Sequence, residues 1–212
     1  MKTDDLIAMM ASDTKPVARG SIPRKLSLVG AAGALVALVI LIPWLGLRDM
    51  GLAIGAPSYW MKTIYTLGLG VGGLLLTERL ARPGASWVRG VLVTGGVLVA
   101  LAGISIFQLA NLPSDQVMPA VMGSTWDKCP WRILALSVPG LIAVLLVMRS
   151  FAPTRPALAG AGAGLFVGGV AATIYGLHCA ETSAMFTLIW YTGGIAASAL
   201  IGALAGWRIL RW

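Results

Sequence analysis

The 212-residue chain combines 58% hydrophobic residues with only 11% charged residues, and its formal net charge is +8. Soluble globular domains carry about 25% charged residues, so this composition excludes an ordinary soluble domain. It predicts an all-α polytopic membrane protein, in which the 27 glycines let helices approach one another closely.

The first predicted element is a short helix at the amino terminus. Thr3 is suited to cap it, and two acidic residues, Asp4 and Asp5, suit the positive end of its dipole. Pro16 ends the helix, and the residues from there to Lys25 form a basic tether. We therefore divide the chain into residues 1–25, a cytoplasmic helix with its tether, and residues 26–212, a transmembrane domain.

The apolar face of this amphipathic helix indicates a groove on another protein as its binding site. Leu6, Ile7 and Met10 share one face at helical spacing, and Met9 lies at the margin of that face. A helix lying on the bilayer is the alternative interpretation. Bilayer-surface helices favour basic polar faces, however, whereas this one is acidic.

Six apolar runs follow, and each has about the 20 residues that a helix needs to cross the hydrocarbon core. Lys62 lies near one end of the second run, so we expect its side chain to snorkel to the interface. Small-residue spacings in the last two runs, such as Gly160/Gly164 and Gly202/Gly206, predict close helix packing. The six runs are Leu26–Leu47, Tyr59–Leu80, Gly90–Leu112, Trp131–Met148, Ala157–Leu177 and Thr182–Trp207.

The loop charges predict the orientation of these spans. With the amino terminus inside, twelve of the sixteen Lys and Arg residues fall on the cytoplasmic side. The four on the outer side are Arg48, Lys62, Lys128 and Arg132. The positive-inside rule therefore predicts that both termini are cytoplasmic. The basic charge then reflects orientation and not nucleic-acid binding, because no cytoplasmic segment is long enough for a basic binding domain.

The two cysteines both fall on the outer face. Cys129 precedes the fourth run and Cys179 follows the fifth, so the loops that carry them are positioned to meet. An oxidising outer compartment permits a disulfide there. Three interpretations stay open at this point: a structural disulfide, a redox- or metal-responsive pair, and two unpaired thiols.

Three side chains near the cysteines are candidate auxiliary sensor groups or metal ligands: His178, Glu181 and Asp127. With the thiols they supply soft and borderline ligands. Their spacing matches no standard zinc pattern, and a lone histidine at the end of a span is more often hydrogen-bonded than bound to metal. We expect no resident cofactor, and any heavy metal at the cysteine pair would bind transiently.

The opening KTDDLIAMMASD, the proline and basic residues after it, the six spans and the outer-face cysteines resemble the NrsF-type negative regulators of sigma-F. These are polytopic membrane anti-sigma factors of alphaproteobacteria and their relatives. The resemblance implies that oxidative or heavy-metal stress acts on the cysteine pair, Cys129 and Cys179, to release an extracytoplasmic-function sigma factor held at the bacterial inner membrane. The residues that would hold this partner are those of the amino-terminal helix: Asp4, Asp5, Leu6, Ile7, Met9 and Met10.

Other functions fit the sequence less well, and we predict no enzymatic activity. A thiol oxidoreductase would favour a Cys-x-x-Cys pair, which this sequence lacks. A small-solute or metal transporter normally places ionisable residues inside its spans, and haem would need more axial ligands than one histidine. A transporter or a membrane redox protein therefore stays as the alternative to an anti-sigma factor.

Overall fold

The computed structural model describes residues 3–12 and 20–211, and in these ranges the regular secondary structure is entirely helical. The predicted all-α class is therefore confirmed. The last helix includes a π-helical stretch over Thr187–Tyr191. In chain order the helices are α1 (Thr3–Ser12), α2 (Ser21–Leu45), α3 (Met50–Ile54), α4 (Pro57–Leu80), α5 (Val88–Ala110), α6 (Ser114–Met122), α7 (Cys129–Arg149), α8 (Pro156–Tyr175) and α9 (Ala184–Ile209).

The six predicted spans correspond to six long helices, α2, α4, α5, α7, α8 and α9. In the described part of the chain, five of them are long and apolar enough to cross a membrane, and α4 is the one that falls short. It has 24 residues, but it carries Lys62, Glu78 and Arg79. Residues 3–12 and 20–211 thus contain five candidate spans by length and composition, and the sixth span and the orientation stay predictions.

Local chemistry sets several helix boundaries. Pro57 and Pro156 stand at the first turns of α4 and α8, where a missing N–H costs no helical hydrogen bond. Gly46 ends α2 with a φ of 77°, a conformation that favours glycine. Asp49 caps α3 by accepting a 2.9 Å hydrogen bond from the N–H of Gly51. The short helices α3 and α6 occupy loops for which the sequence predicted no helix.

Helix α8 is the centre of the bundle and packs against α4, α7 and α9. Its small residues bring backbone against backbone. A methyl group added at Gly160 would overlap the carbonyl oxygen of Gly202, and one added at Gly169 would lie 2.6 Å from the Cα of Gly70 in α4. The close packing predicted for the last two runs is confirmed by these contacts between α8 and α9.

Large apolar side chains cover the outside of the bundle. Leu35 in α2 is 63% exposed, and Val99 and Phe107 in α5 are 73% and 72% exposed. A soluble monomer rarely exposes a contiguous apolar surface of this extent. The surface is therefore of the kind that contacts lipid.

Candidate functional site

The two cysteines lie in one buried cluster at one end of the bundle. Cys129 is the first residue of α7, and Cys179 lies in the connection between α8 and α9, residues 176–183, which we call the cysteine loop. Both are free, and they are 0% and 3% exposed. Both belong to one cluster of buried residues that also contains Tyr175 and Tyr191. The structure thus brings together the two thiols that the sequence singled out.

Lys62 of α4 anchors the cysteine loop through hydrogen bonds to its backbone. Its ammonium group donates to the backbone carbonyls of Cys179, at 3.2 Å, and Glu181, at 2.6 Å, and lies 5.3 Å from the centroid of the Tyr191 ring. The lysine is only 1% exposed, so the expectation that it snorkels to the interface is wrong. The loop folds back over the start of α4, and its carbonyls supply the polar surroundings that a buried ammonium requires.

Arg48, which follows α2, also anchors the cysteine loop through hydrogen bonds to its backbone. Its guanidinium Nη1 donates to the carbonyl of Cys179 at 3.2 Å, and its backbone N–H donates to that of Leu177 at 3.1 Å. The guanidinium carbon lies 4.9 Å from the centroid of the Tyr59 ring, a cation–π arrangement. The carbonyl of Cys179 therefore accepts hydrogen bonds from two cations that belong to different parts of the chain.

Glu181 joins the cysteine loop to the turn that precedes α7. Its carboxylate oxygen Oε1 accepts from the backbone N–H of Ser124 at 2.7 Å and from the hydroxyl of that serine at 2.6 Å. This turn leads directly to Cys129. The glutamate therefore links the two segments that carry the thiols.

His178 is engaged through both ring nitrogens. Nε2 lies 3.4 Å from Arg132 Nη1, and Nδ1 lies 3.1 Å from the carbonyl oxygen of Gly46. A guanidinium has no acceptor, so Nε2 must accept and Nδ1 carries the proton that is donated to Gly46. His178 thus links the cysteine loop to the end of α2 and the start of α7.

The hydrogen bonds of His178 and Glu181 use atoms that would otherwise be available to bind a metal ion. Both nitrogens of His178 and one oxygen of Glu181 are bonded within the protein, and Asp127 is exposed at the turn before α7. No group of three or more His, Cys, Asp or Glu side chains could hold a metal ion in the described ranges. The residues are brought to one end of the bundle, but they do not form a preformed metal site.

A pocket of about 310 Å³ opens beside Cys179. Its walls include Tyr175, His178, Cys179 and Glu181 from the cysteine-loop side and Ser124 and Thr125 from the turn before α7. Cys129 does not line this pocket and is fully buried. A small reagent entering the pocket would therefore meet the Cys179 side of the pair first.

The sequence missed the cations that position the cysteine loop, Arg48 and Lys62, as functional residues. The signal for Lys62 was present, because an ionisable residue within an apolar run usually faces the protein interior and has a specific partner. No signal in the sequence pointed to Ser124, because its contact with Glu181 joins residues 57 positions apart.

At the other end of the chain, the predicted amino-terminal helix is present as α1. Asp4 and Asp5 lie in its first turn, and the helix is described as far as Ser12. Ile7 and Met9 are 60% and 64% exposed. The side chains of Leu6 and Met10, and the predicted helix end at Pro16, lie outside the described residues. The described part of α1 thus combines an acidic start with exposed apolar side chains.

Comparison with known proteins identifies the family. A family model described as a negative regulator of sigma F matches residues 10–212. The anti-sigma-F factor NrsF of Caulobacter vibrioides is 44% identical over 214 residues, and the probable anti-sigma-F factor NrsF of Azospira oryzae is 40% identical over 215 residues. Both alignments cover 100% of this chain and 100% of the relative. No solved structure matches the chain. On the extent of these matches, the chain belongs to the NrsF family of negative regulators of sigma F.

Proposed function

We propose that this protein is a membrane-bound anti-sigma factor that holds an extracytoplasmic-function sigma factor through α1. Membership of the NrsF family supports the regulatory class, and the exposed Ile7 and Met9 on a helix with an acidic first turn support the docking element. The observation that carries the proposal is the exposure of Ile7 and Met9, which flank the predicted apolar face, together with Asp4 and Asp5 in the first turn. This combination suits a groove on a protein better than an anionic bilayer surface.

The proposed topology has six spans with both termini in the cytoplasm of a bacterial cell, in the inner membrane. The division of Lys and Arg residues supports this orientation, because only Arg48, Lys62, Lys128 and Arg132 fall on the outer side. The sixth span would be α4, whose Lys62 is buried in the protein and therefore does not face lipid. In this topology the cysteine loop is periplasmic and α1 is cytoplasmic.

Cys129 and Cys179 would act as the sensor, and oxidative or heavy-metal stress would be the signal. The pocket beside Cys179 favours an order of events for a peroxide. With hydrogen peroxide, Cys179 attacks one peroxide oxygen and becomes a sulfenic acid with release of one water, and the Cys129 thiol then displaces a second water to form the disulfide. Two thiols lose two electrons and two protons, which the peroxide accepts. A soft metal would instead bind both sulfurs and release their two protons to solvent.

A movement of the cysteine loop would reach α1 through α2. The carboxyl end of α2 contacts the loop through Gly46 and Arg48, and its amino end, Ser21, follows the tether that leads from α1. The helix has 25 residues and is about 37 Å long, enough to cross the bilayer. It also packs against α7, which begins at Cys129. Cys179 lies in the cysteine loop and Cys129 begins α7. Both of these elements contact α2, which the tether joins to α1.

The direct test is co-purification of the tagged full-length protein from detergent with its cytoplasmic partner, followed by mass spectrometry. The proposal expects a sigma factor to be recovered with the wild-type chain and lost when residues 2–14 are removed. A matched control removes no residues but replaces the outer Lys128 with Met, which should leave recovery unchanged. Recovery of the sigma factor at the wild-type level with the truncated chain would show that α1 is not the docking element.

A further inference from the structure

The end of the bundle opposite the cysteine loop contains a cationic pocket of about 300 Å³. Its walls include Arg79 from the last turn of α4, Arg82 from the turn after it, and Arg155 at the start of α8. Arg82 forms an ion pair with Glu78 at 3.0 Å. Neither Arg79 nor Arg155 has an acidic partner in residues 3–12 and 20–211. The pocket therefore retains the positive charge of two guanidinium groups.

Two helices add to the positive potential of this pocket. The residues that precede the first turns of α5 and α8, Trp87 and Arg155, both line it. The first turn of a helix presents N–H groups without helical partners, and the helix dipole is positive at this end. A bound anion would thus be stabilised by the backbone as well as by the arginines.

An apolar groove of about 240 Å³ adjoins the cationic pocket. Leu80 and Trp87 line both cavities, so the pocket and the groove are next to each other. The groove extends along the outer side of the bundle between Val91 of α5 and Leu158 and Leu165 of α8. Leu76 and Leu80 of α4 and Ala199 of α9 also line the groove, and almost all of its lining atoms are apolar.

We propose that the cationic pocket and the apolar groove together bind one anionic phospholipid. The phosphate would lie against Arg79 and Arg155, and one acyl chain would lie in the groove. A guanidinium matches the geometry of phosphate oxygens, and basic pockets at the ends of spans are a known way to hold lipid head groups. A soluble anion would use the pocket alone, and a neutral lipid would use the groove alone. Because Leu80 and Trp87 line both cavities, the adjacency of the pocket and the groove favours a ligand that has both parts. This proposal does not depend on the sigma factor or on the cysteines.

Native mass spectrometry of the full chain in detergent tests the proposal, with phosphatidylglycerol and phosphatidylcholine of identical acyl chains as probes. We expect phosphatidylglycerol to be retained at least tenfold more than phosphatidylcholine. Replacing Arg79 and Arg155 together with Gln should abolish this difference. The control pair Arg89→Gln and Arg149→Gln removes the same charge from exposed positions outside the pocket, and it should retain the lipid normally. Equal retention of the two wild-type lipids would overturn the proposal.

The groove is tested separately from the pocket. Ala161→Trp places a large side chain in the groove, whereas the control Leu146→Trp adds one at an exposed position of α7. Only Ala161→Trp should lower retention of phosphatidylglycerol, by about tenfold. If it does not, and inorganic phosphate alone saturates the arginines, the pocket is a site for a soluble anion and the lipid proposal is wrong. Should the double Arg variant not fold, Arg79→Gln and Arg155→Gln are measured singly, and each should weaken retention severalfold.

Discussion

The Nζ atom of Lys62 lies 3.2 Å from the carbonyl oxygen of Cys179, although the two residues are 117 positions apart. This hydrogen bond joins the start of α4 to the cysteine loop. Because Arg48 donates to the same carbonyl, the backbone of Cys179 is held by two cations. The position of this cysteine is therefore set by charges contributed from outside its own loop.

Lys62→Met should make Cys179 more reactive toward a small membrane-impermeant thiol reagent. The substitution leaves the carbonyl of Glu181 without its lysine donor and removes one of the two cations from that of Cys179. Losing a hydrogen-bond partner costs about 1–3 kcal/mol, so opening of the loop becomes about fivefold to about 150-fold more frequent. The measurement is the rate of labelling in a Cys129→Ser background, with Lys128→Met as the exposed control. Labelling at the unchanged rate would mean that Lys62 does not hold the loop closed.

Ile7→Asp should release the sigma factor and raise expression of its target genes without stress. A charge on the apolar face of α1 removes a contact that typically contributes about 2–4 kcal/mol at the centre of an interface. Adding Leu6→Asp should strengthen the effect. The control is Ser12→Asp, which places the same charge on the opposite side of the helix. Reporter transcription and co-purification provide the readout, and equal derepression by Ser12→Asp would indicate a general charge effect.

Replacing Cys129 or Cys179 with Ser, singly or together, should abolish the stress response in the same way. Each variant lacks one member of the pair, so neither a disulfide nor a two-sulfur metal complex can form. Transcription from sigma-dependent promoters is followed with peroxide, chromate and cadmium, and Ala184→Ser controls for a new hydroxyl in the same cluster. A normal response of the double variant to every stress would remove the sensor role. A gel-shift assay of thiol labelling would then show whether the pair is a permanent structural disulfide.

The predicted topology can be tested by labelling single cysteines in a Cys129→Ser, Cys179→Ser background. An impermeant maleimide should label Asp127→Cys in intact spheroplasts, because this exposed position is periplasmic in the proposed topology. Pro83→Cys, in the exposed turn after α4, should be labelled only after the membrane is opened. A reporter that is active only in the periplasm should also be silent when fused after Trp212. The reverse labelling pattern would place the cysteine loop in the cytoplasm and α1 in the periplasm, which contradicts the proposed topology.

Gly160→Ala and Gly96→Ala should change stability in opposite directions. The added methyl group overlaps the backbone of α9 at Gly160, whereas nothing lies within 4 Å of the position it would occupy at Gly96. Overpacking costs about 1–3 kcal/mol, while Gly→Ala at an open helical site is favourable by up to about 1 kcal/mol. Thermal unfolding in detergent measures both. A similar unfolding temperature for the two variants would contradict the close contact between α8 and α9.

Much of the fold could be predicted from the sequence, because long apolar runs specify helices directly. The predicted run Tyr59–Leu80 and the helix Pro57–Leu80 differ by two residues at one end and none at the other. The short helices α3 and α6 were not predicted, since each is brief and depends on its loop context. A cap such as Asp49 is visible in the sequence, but it becomes informative only when the helix that it caps is known.

The site was predictable in composition but not in arrangement. The sequence singled out Cys129, Cys179, His178 and Glu181, and the structure places them at one end of the bundle. The sequence could not show that Glu181 bonds to Ser124 or that His178 bonds to Gly46, because these contacts join segments that are distant along the chain. Lys62 was assigned to the interface because its position near a span end suggested solvent, whereas tertiary contacts bury it.

The backbone contacts of α8 also determine which parts of the bundle are able to move. Where Gly160 meets Gly202 and Gly169 meets Gly70, no layer of side chains is present that could change rotamer to absorb a displacement. We therefore expect helices α4, α8 and α9 to move as one rigid unit. Helix α2 meets α8 at Gly30 through the ring of Phe166, but it meets α7 backbone to backbone, because a methyl group added at Gly33 would lie 2.9 Å from the Cα of Gly140. A displacement of Arg48 would therefore be passed to α7, which begins at Cys129, as well as along α2 to its amino-terminal end.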